Sequence, residues 1–246
     1  THFNVLTDEY MTYLDQLEPL LYQEKTYQYD IDPLLIRQVE DSYQRIFSGS
    51  IQMRQLNVDE IELLENQYDV LSGRYPDRDA LEMVIVVSNR NQLRDFVLEN
   101  LGFVDEEDQL LEEVSFETLS NLTFKLVHSG IYYEQRDDGF FYTTAREAFL
   151  HPDAVEMNIV GILRIKEGVE TPLLREGFGY SQAVSDYILE NSVDAPIIEA
   201  LEASLAEGNI TGTYQRVTSD DTYDSKNDII SDIHRLGGTQ FPTNIT

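Results

Sequence analysis

The chain has 246 residues, with 46 acidic against 17 basic side chains, a formal net charge of −29 and a pI near 4.2. Such a surface argues against binding nucleic acid or anionic lipid, since that affinity comes chiefly from neutralising phosphates with basic side chains. With 41% hydrophobic residues, 15 Tyr, 11 Phe and no Cys, it reads as a folded protein without disulfides, thiolate metal sites or thiol catalysis.

Its length admits one large domain or two smaller ones, and two lobes is the preferred reading. The longest apolar run, Met83–Val87, falls far short of the roughly 20 residues a membrane helix needs, and no signal-peptide pattern is present. The chain starts at Thr1 and ends at Thr246, which is expected of a piece excised from something longer. Electrostatics favour cationic partners such as basic peptides, polyamines or calcium; the plainer expectation is a solvated acidic coat without a partner.

In chain order, Thr7–Leu21 is expected as a helix with Tyr10, Leu14, Leu17 and Leu21 on one face, its last turn disturbed by Pro19. Thr26–Ile36 alternates apolar and polar residues around Pro33 and suits a strand near a sheet edge. Asn57–Gln67 is expected as a second helix capped by Asn57 or Asp59. A turn at Gly73-Arg74-Tyr75-Pro76 leads to a strand over Leu81–Val87 that is buried on both faces. Asn91–Leu101 is expected as a helix stopped by Gly102.

Asp105–Glu113 is acidic and helix-prone, and Leu122–Val127 is a strand. Asp138-Gly139 between Ile131–Gln135 and Phe140–Thr144 signals a hairpin. A strand over Glu156–Ile165, a helix from Ser181 and a helix over Asp194–Glu207 closed by Gly208 follow, then a strand over Ile210–Val217 and a helix over Asp220–Leu236. The fold class is α+β, with helices and strands interleaved, at least one antiparallel hairpin and no internal repeat.

Three constellations bear on chemistry. Gly179-Tyr180-Ser181-Gln182-Ala183 has the outline of a nucleophile elbow, but only His234 lies downstream to act as base; Ser181 as a helix N-cap explains the same residues. Gly177-Phe178-Gly179 before a helix has the outline of a phosphate cradle, against which stand the missing third glycine and the acidic chain; a turn using glycine dihedrals is expected instead. His2, His128, His151 and His234 lack ligand spacing, and Asp220, Asp221, Asp224 and Asp228 lack the order of a calcium loop. The glycosylation-type triplets at Asn121, Asn209 and Asn244 are read as chance. With 46 acids, any carboxylate pair for hydrolysis is uninformative.

Two segments, Tyr68–Phe103 and Glu156–Leu189, each set an apolar strand beside a glycine turn and an amphipathic helix. Gly73-Arg74-Tyr75-Pro76, the strand Met83–Val87, the short strand Leu122–Val127 and Ile159-Val160-Gly161-Ile162-Leu163-Arg164 follow in order. Lys166-Glu167-Gly168, Gly177-Phe178-Gly179-Tyr180 and the helix from Ser181 come next. In order and spacing this resembles the extracellular domain of FtsX-like ABC transporter permeases, the MacB-like group, especially its Gram-positive members. The specific part runs from Tyr68 to Leu189; the positions that carry it are Gly73, Arg74, Tyr75, Gly161, Arg164, Gly177, Gly179 and Tyr180. The family pattern continues beyond the equivalent of Asn244-Ile245, where this chain stops.

The resemblance implies a two-lobed MacB-like core domain of mixed sheets and flanking helices, with residues 1–70 and 171–246 forming a discontinuous α/β (porter-like) lobe and residues 71–170 a smaller inserted (Sabre-like) lobe that contains the hairpin. It implies a non-catalytic domain on the extracellular face of the bacterial cytoplasmic membrane, attached to the membrane-spanning remainder of the permease. A separate cytoplasmic subunit would bind and hydrolyse ATP, and the domain itself would need no cofactor. A cationic peptide, a lipoprotein or a cell-envelope enzyme would be its partner. The alternatives are a freestanding secreted or surface binding module and, third, a secreted hydrolase using Ser181 or a carboxylate pair.

Overall fold

The structure is a computed structural model that describes residues 8–17, 31, 33–46, 51–105, 107, 109–137 and 139–206. The chain divides between residues 30 and 31 into two units. In the first, the described residues hold helix α1 (Asp8–Asp15), on which the rings of Tyr10 and Tyr13 lie 6.3 Å apart and both are exposed. Tyr10, expected on one helix face with Leu14 and Leu17, is 47% exposed, while Leu14 and Leu17 are half-buried. The strand expected over Ile210–Val217 and the helix expected over Asp220–Leu236 lie outside the described residues, as do Pro19, Leu21 and Gly208.

The second unit is built on an eight-stranded mixed sheet in the order β2-β1-β6-β9-β5-β10-β3, with β4 also paired to β9. The strands are β1 (Leu34–Val39), β2 (Ser42–Ile46), β3 (Gln52–Gln55), β4 (Tyr68–Gly73), β5 (Glu82–Val87), β6 (Thr123–Val127), β9 (Val155–Ile165) and β10 (Gly177–Tyr180). A separate antiparallel ribbon is formed by β7 (Tyr133–Arg136) and β8 (Gly139–Tyr142), at the hairpin expected from Asp-Gly. The α+β class with a large mixed sheet and flanking helices is as expected.

The 11-residue strand β9 organises the sheet. One edge runs parallel to β5; the other is shared end to end, by β6 against Val155–Asn158 and by β4 against Gly161–Ile165. Pairing with β5 skips Val160, since Met83 faces Ile159 and Val84 faces Gly161. An extra residue of this kind shifts the alternation by one. That shift lets Met157, Ile159 and Ile162 join one core while Leu163 and Ile165 join the other. β4 runs across residues 70 and 71, and residues 170 and 171 lie in the connection between β9 and β10.

β5 shows why the sheet is covered on both faces. Met83, Ile85 and Val87 alternate with Val84 and Val86, and all five are buried, as the β-branched run predicts. Full burial of each such side chain stabilises by about 1.5–3 kcal/mol. On the first face α3 (Asp95–Asn100), α4 (Phe116–Ser120) and α7 (Gln182–Ser192) contribute Val97, Leu119 and Val184. On the opposite face α2 (Ile61–Gln67), entered through a 3-10 turn at Val58–Glu60 that Asn57 caps, contributes Leu64. A third cluster joins α5 (Ser129–Tyr132) and α6 (Ala145–Leu150) to β1 and β6 through Ile131, Tyr132 and Ala148. The last described helix is α8 (Pro196–Ala206).

Two expected helices differ. Over 91–101 the helix begins only at Asp95, because Ser88 folds the preceding residues into a turn: its Oγ accepts from Arg90 and Gln92 N–H, and Asn91 adopts φ +58°. Its end is as expected, with Gly102 at φ +74° and Phe103 N–H bonded back to the Leu98 carbonyl. The acidic segment over 105–113 is not a helix. The Asp105 carboxylate accepts from Glu107 and Gln109 N–H, and the loop it closes pairs Leu110 with Val104. An Asp side chain that satisfies nearby N–H groups competes with helix formation in this way.

Candidate functional site

The positions that carry the resemblance lie in two parts of a seam through the sheet: Gly73, Arg74, Tyr75, Gly161 and Arg164 at the β4–β9 pairing, and Gly177, Gly179 and Tyr180 on β10, across β5 from β9. Gly73 faces Gly161 across the β4–β9 ladder. Gly73 has φ +70°, and a Cβ there would lie 2.0 Å from the Val160 carbonyl oxygen; a Cβ on Gly161 would lie 2.1 Å from that of Arg74. Both obstacles are backbone atoms, so the two chains cross at a distance only glycine permits. The crossing is locked by Arg74 N–H bonding to Val160 O at 3.0 Å.

Around the crossing the charged and aromatic positions act as fasteners. The Arg74 guanidinium forks onto Glu82, with Nη1–Oε2 2.7 Å and Nη2–Oε1 2.6 Å, while Glu82 Oε2 also accepts from Asp77 N–H. The hydrogen bond from Arg74 holds the Glu82 carboxyl below its usual range, against some opposing burial. Tyr75 donates to the Tyr68 carbonyl, and burial pushes its phenol up to about 12. Tyr68 Oη donates to Leu174 O at 2.8 Å and accepts Leu174 N–H at 2.7 Å. Arg164 Nη2 lies 2.8 Å from Asp69 Oδ2 on the adjacent strand.

Gly177, Gly179 and Tyr180 correct the sequence expectation. They form an interior strand, antiparallel to β5 and parallel to β3, with every residue buried, rather than a turn. Neither glycine has positive φ; the requirement is close approach. A Cβ on Gly177 would lie 2.2 Å from Gln52 O, and one on Gly179 would lie 2.4 Å from the Leu56 side chain. Phe178 and Tyr180 point to the opposite face, where Tyr180 Oη donates to Ile31 O at 2.9 Å.

Ser181 stands at the N-cap position of α7 without a side-chain capping bond. Its Oγ donates to the Ala80 carbonyl instead, and the residue is fully buried. Its N–H is bonded to Glu82 O, so Ser181 fastens β10 to the turn before β5. His234, the base an elbow would need, lies outside the described residues, as do His2, Asn209, Asn244 and the acids at 220, 221, 224 and 228.

His128 and His151 are placed on structural duties. His128 Nδ1 accepts from Gly130 N–H and caps α5, with its ring edge-on to Tyr187. Burial lowers its pKa, with Asp153 acting in the opposite sense. His151 Nδ1 accepts from Asp153 N–H. Among the described residues no group of three or more His, Asp or Glu side chains is placed to hold a metal ion. Asn121 is an exposed residue that ends α4.

The concavity of interest lies elsewhere, at the carboxyl end of β5, and has a volume of about 930 Å³. Its walls are the Ser88–Arg94 turn with α3 on one side and the Leu110–Phe116 segment on the other. The partly exposed Leu93, Leu98, Val114 and Phe116 give it apolar surface over the buried Val87 and Leu119, beside polar groups. Asp95, Glu112, Glu113 and Glu176 bring carboxylates to it, and Arg94 brings a cation, 3.8 Å from Glu176. The cleft is not announced in the sequence: Glu112 and Glu113 lie in an acidic stretch that reads as helix-prone, and Asp95 and Glu176 come from other parts of the chain.

Compared with protein-family models, curated proteins and solved structures, the chain shows no significant match. Among the described residues no helix is long and apolar enough to cross a membrane.

Proposed function

We propose that the chain is a non-catalytic extracellular domain of an FtsX-like, MacB-like ABC transporter permease. It would couple ATP hydrolysis in a separate cytoplasmic subunit to export or to work at the cell surface on a cationic peptide, a lipoprotein or a cell-wall enzyme. The observation that supports this reading is the seam: the residues on which the resemblance rests lie in one sheet, on the β4–β9 pairing and on β10, and Gly73, Gly161 and Gly177 occupy points where a neighbouring backbone carbonyl leaves no room for a Cβ.

Such close backbone crossings make a rigid frame, which suits a domain that passes on motion from membrane helices as a two-state change biased by nucleotide. The two lobes implied by the resemblance would then share one sheet. The open cleft beside β5 suits a freestanding surface binding module as well, which remains the second reading.

The test is labelling of intact source cells with an impermeant antibody raised against this domain, followed by fractionation. The permease reading expects labelling of unbroken cells and recovery in a membrane pellet that high salt does not strip. Recovery in the cytosol overturns both readings; release into the medium or by salt favours the freestanding module.

A further inference from the structure

We propose that the cleft at the carboxyl end of β5 is a docking site for a basic peptide segment, one large apolar side chain entering the cleft between flanking lysines or arginines. The inference does not require the permease reading, since a freestanding module would use the cleft in the same way.

The volume of about 930 Å³ lies within the range of roughly 300–1,000 Å³ typical of ligand clefts. Apolar surface is presented to it by the partly exposed Leu93, Leu98, Val114 and Phe116, beside the polar groups of its rim, and Leu111 at its side remains 40% exposed. Burying one aromatic side chain here would remove apolar surface from water on both partners.

Charge selects what accompanies that side chain. Arg94 pairs with Glu176 at 3.8 Å and lies over the face of Phe96, 5.9 Å from the ring centroid, which leaves the carboxylates of Asp95, Glu112 and Glu113 in excess. A concave site with low-dielectric walls focuses such an excess, and the whole chain, at −29, adds to it at long range. Phosphates and anionic headgroups are repelled. So is a second copy of this acidic chain. A neutral acyl chain would fill the interior and leave the acids unused. A basic peptide matches both halves of the chemistry.

The walls are also held before binding. Ser88 Oγ ties Arg90 and Gln92, Asp105 ties Glu107 and Gln109, and Leu111 N–H bonds to Phe103 O. Preorganised walls lower the ordering cost of association.

The experiment is fluorescence anisotropy on the full 246-residue chain with three labelled peptides: Gly-Lys-Phe-Lys-Gly, Gly-Glu-Phe-Glu-Gly and Gly-Lys-Gly-Lys-Gly. The first should bind, and each of the others should bind about tenfold more weakly or worse. Binding of the first should weaken as salt shortens the screening length from about 8 Å at 0.15 M to about 3 Å at 1 M. Glu112→Gln with Glu113→Gln should reduce affinity about threefold or more; both residues are exposed, so the fold does not depend on them. Amide resonances of residues 88–95 and 110–116 should shift on titration. No binding of the Lys-Phe-Lys peptide at about 1 mM, equal binding of the acidic peptide, unchanged affinity in the double variant, or shifts confined to another surface would each overturn the proposal.

Discussion

In the seam, the nearest obstacle to a larger side chain is usually the backbone of a neighbouring strand; in the cleft, the side chains meet solvent. At Gly161 the obstacle is the Arg74 carbonyl, and at Gly177 it is that of Gln52, so the sequence there follows from how the chains cross. Glu112 and Glu113 are exposed, and substitutions at exposed positions usually change stability little. A position free to vary without harming the fold is free to be selected for recognition. The difference separates frame from surface: substitutions in the seam should cost stability, and substitutions in the cleft should cost binding alone.

The sharpest way to break that distinction is Gly161→Ala or Gly177→Ala. Each should destabilise by about 3 kcal/mol or more, because a carbonyl oxygen cannot yield the missing ångström. Gly168→Ala is the control: its Cβ would meet nothing within 4 Å, and only its φ of +86° is unfavourable. About 1–2 kcal/mol is expected there. Chemical-denaturation midpoints of the three variants decide it, and equal losses would remove the steric account of the seam.

Ser181→Ala should cost about 1 kcal/mol through the lost bond to Ala80 O. It should abolish no hydrolytic activity on ester substrates, whereas an activity lost with this variant would revive the hydrolase alternative.

Acid should loosen the seam and the α5 cap at different pH. Glu82 has a folded pKa below its ordinary 4.5, so its contribution is present above that value and is lost as pH falls through the lowered one. His128 likewise has a folded pKa below its ordinary 6.5; its neutral-form contribution is full above 6.5 and is lost as pH falls through the lowered value. Thermal midpoints against pH should therefore fall in two regions. His128→Asn, which keeps an acceptor for Gly130 N–H, should flatten the upper one, and Arg74→Ala the lower. A profile unchanged by either variant would contradict these assignments.

The smallest stability effect belongs to the cleft. Glu112→Gln with Glu113→Gln should shift the unfolding free energy by no more than about 0.5 kcal/mol. A larger loss would make these acids part of the frame.

Local signals in the sequence were enough for β5, for the β7–β8 hairpin and for the Gly102 stop, because a β-branched run, an Asp-Gly pair and a C-terminal glycine each act within a few residues. They were not enough where the determining contact is distant. β4 becomes a strand by pairing with Ile165 and its neighbours far along the chain, and Gly-Phe-Gly-Tyr reads as a turn until β3 and β5 close on it from both sides. The β1–β2 hairpin turns through Glu40 and Asp41, with Glu40 at φ +52°, without the glycine that usually announces such a turn. The capping box of Thr144 and Glu147 that opens α6 was legible in principle, since both residues act within one turn. The cleft was hidden for a physical reason: Asp105 and Ser88 spend their side chains on nearby N–H groups, turning two segments that read as helix into its walls.

The most direct test of the proposed role is capture of the native parent protein from detergent-solubilised membranes with an antibody to this domain, followed by mass spectrometry of the whole chain and its companions. The account predicts a longer chain with hydrophobic spans of about 20 residues outside this segment and a co-purifying ATPase subunit. A chain with neither spans nor ATPase would contradict it.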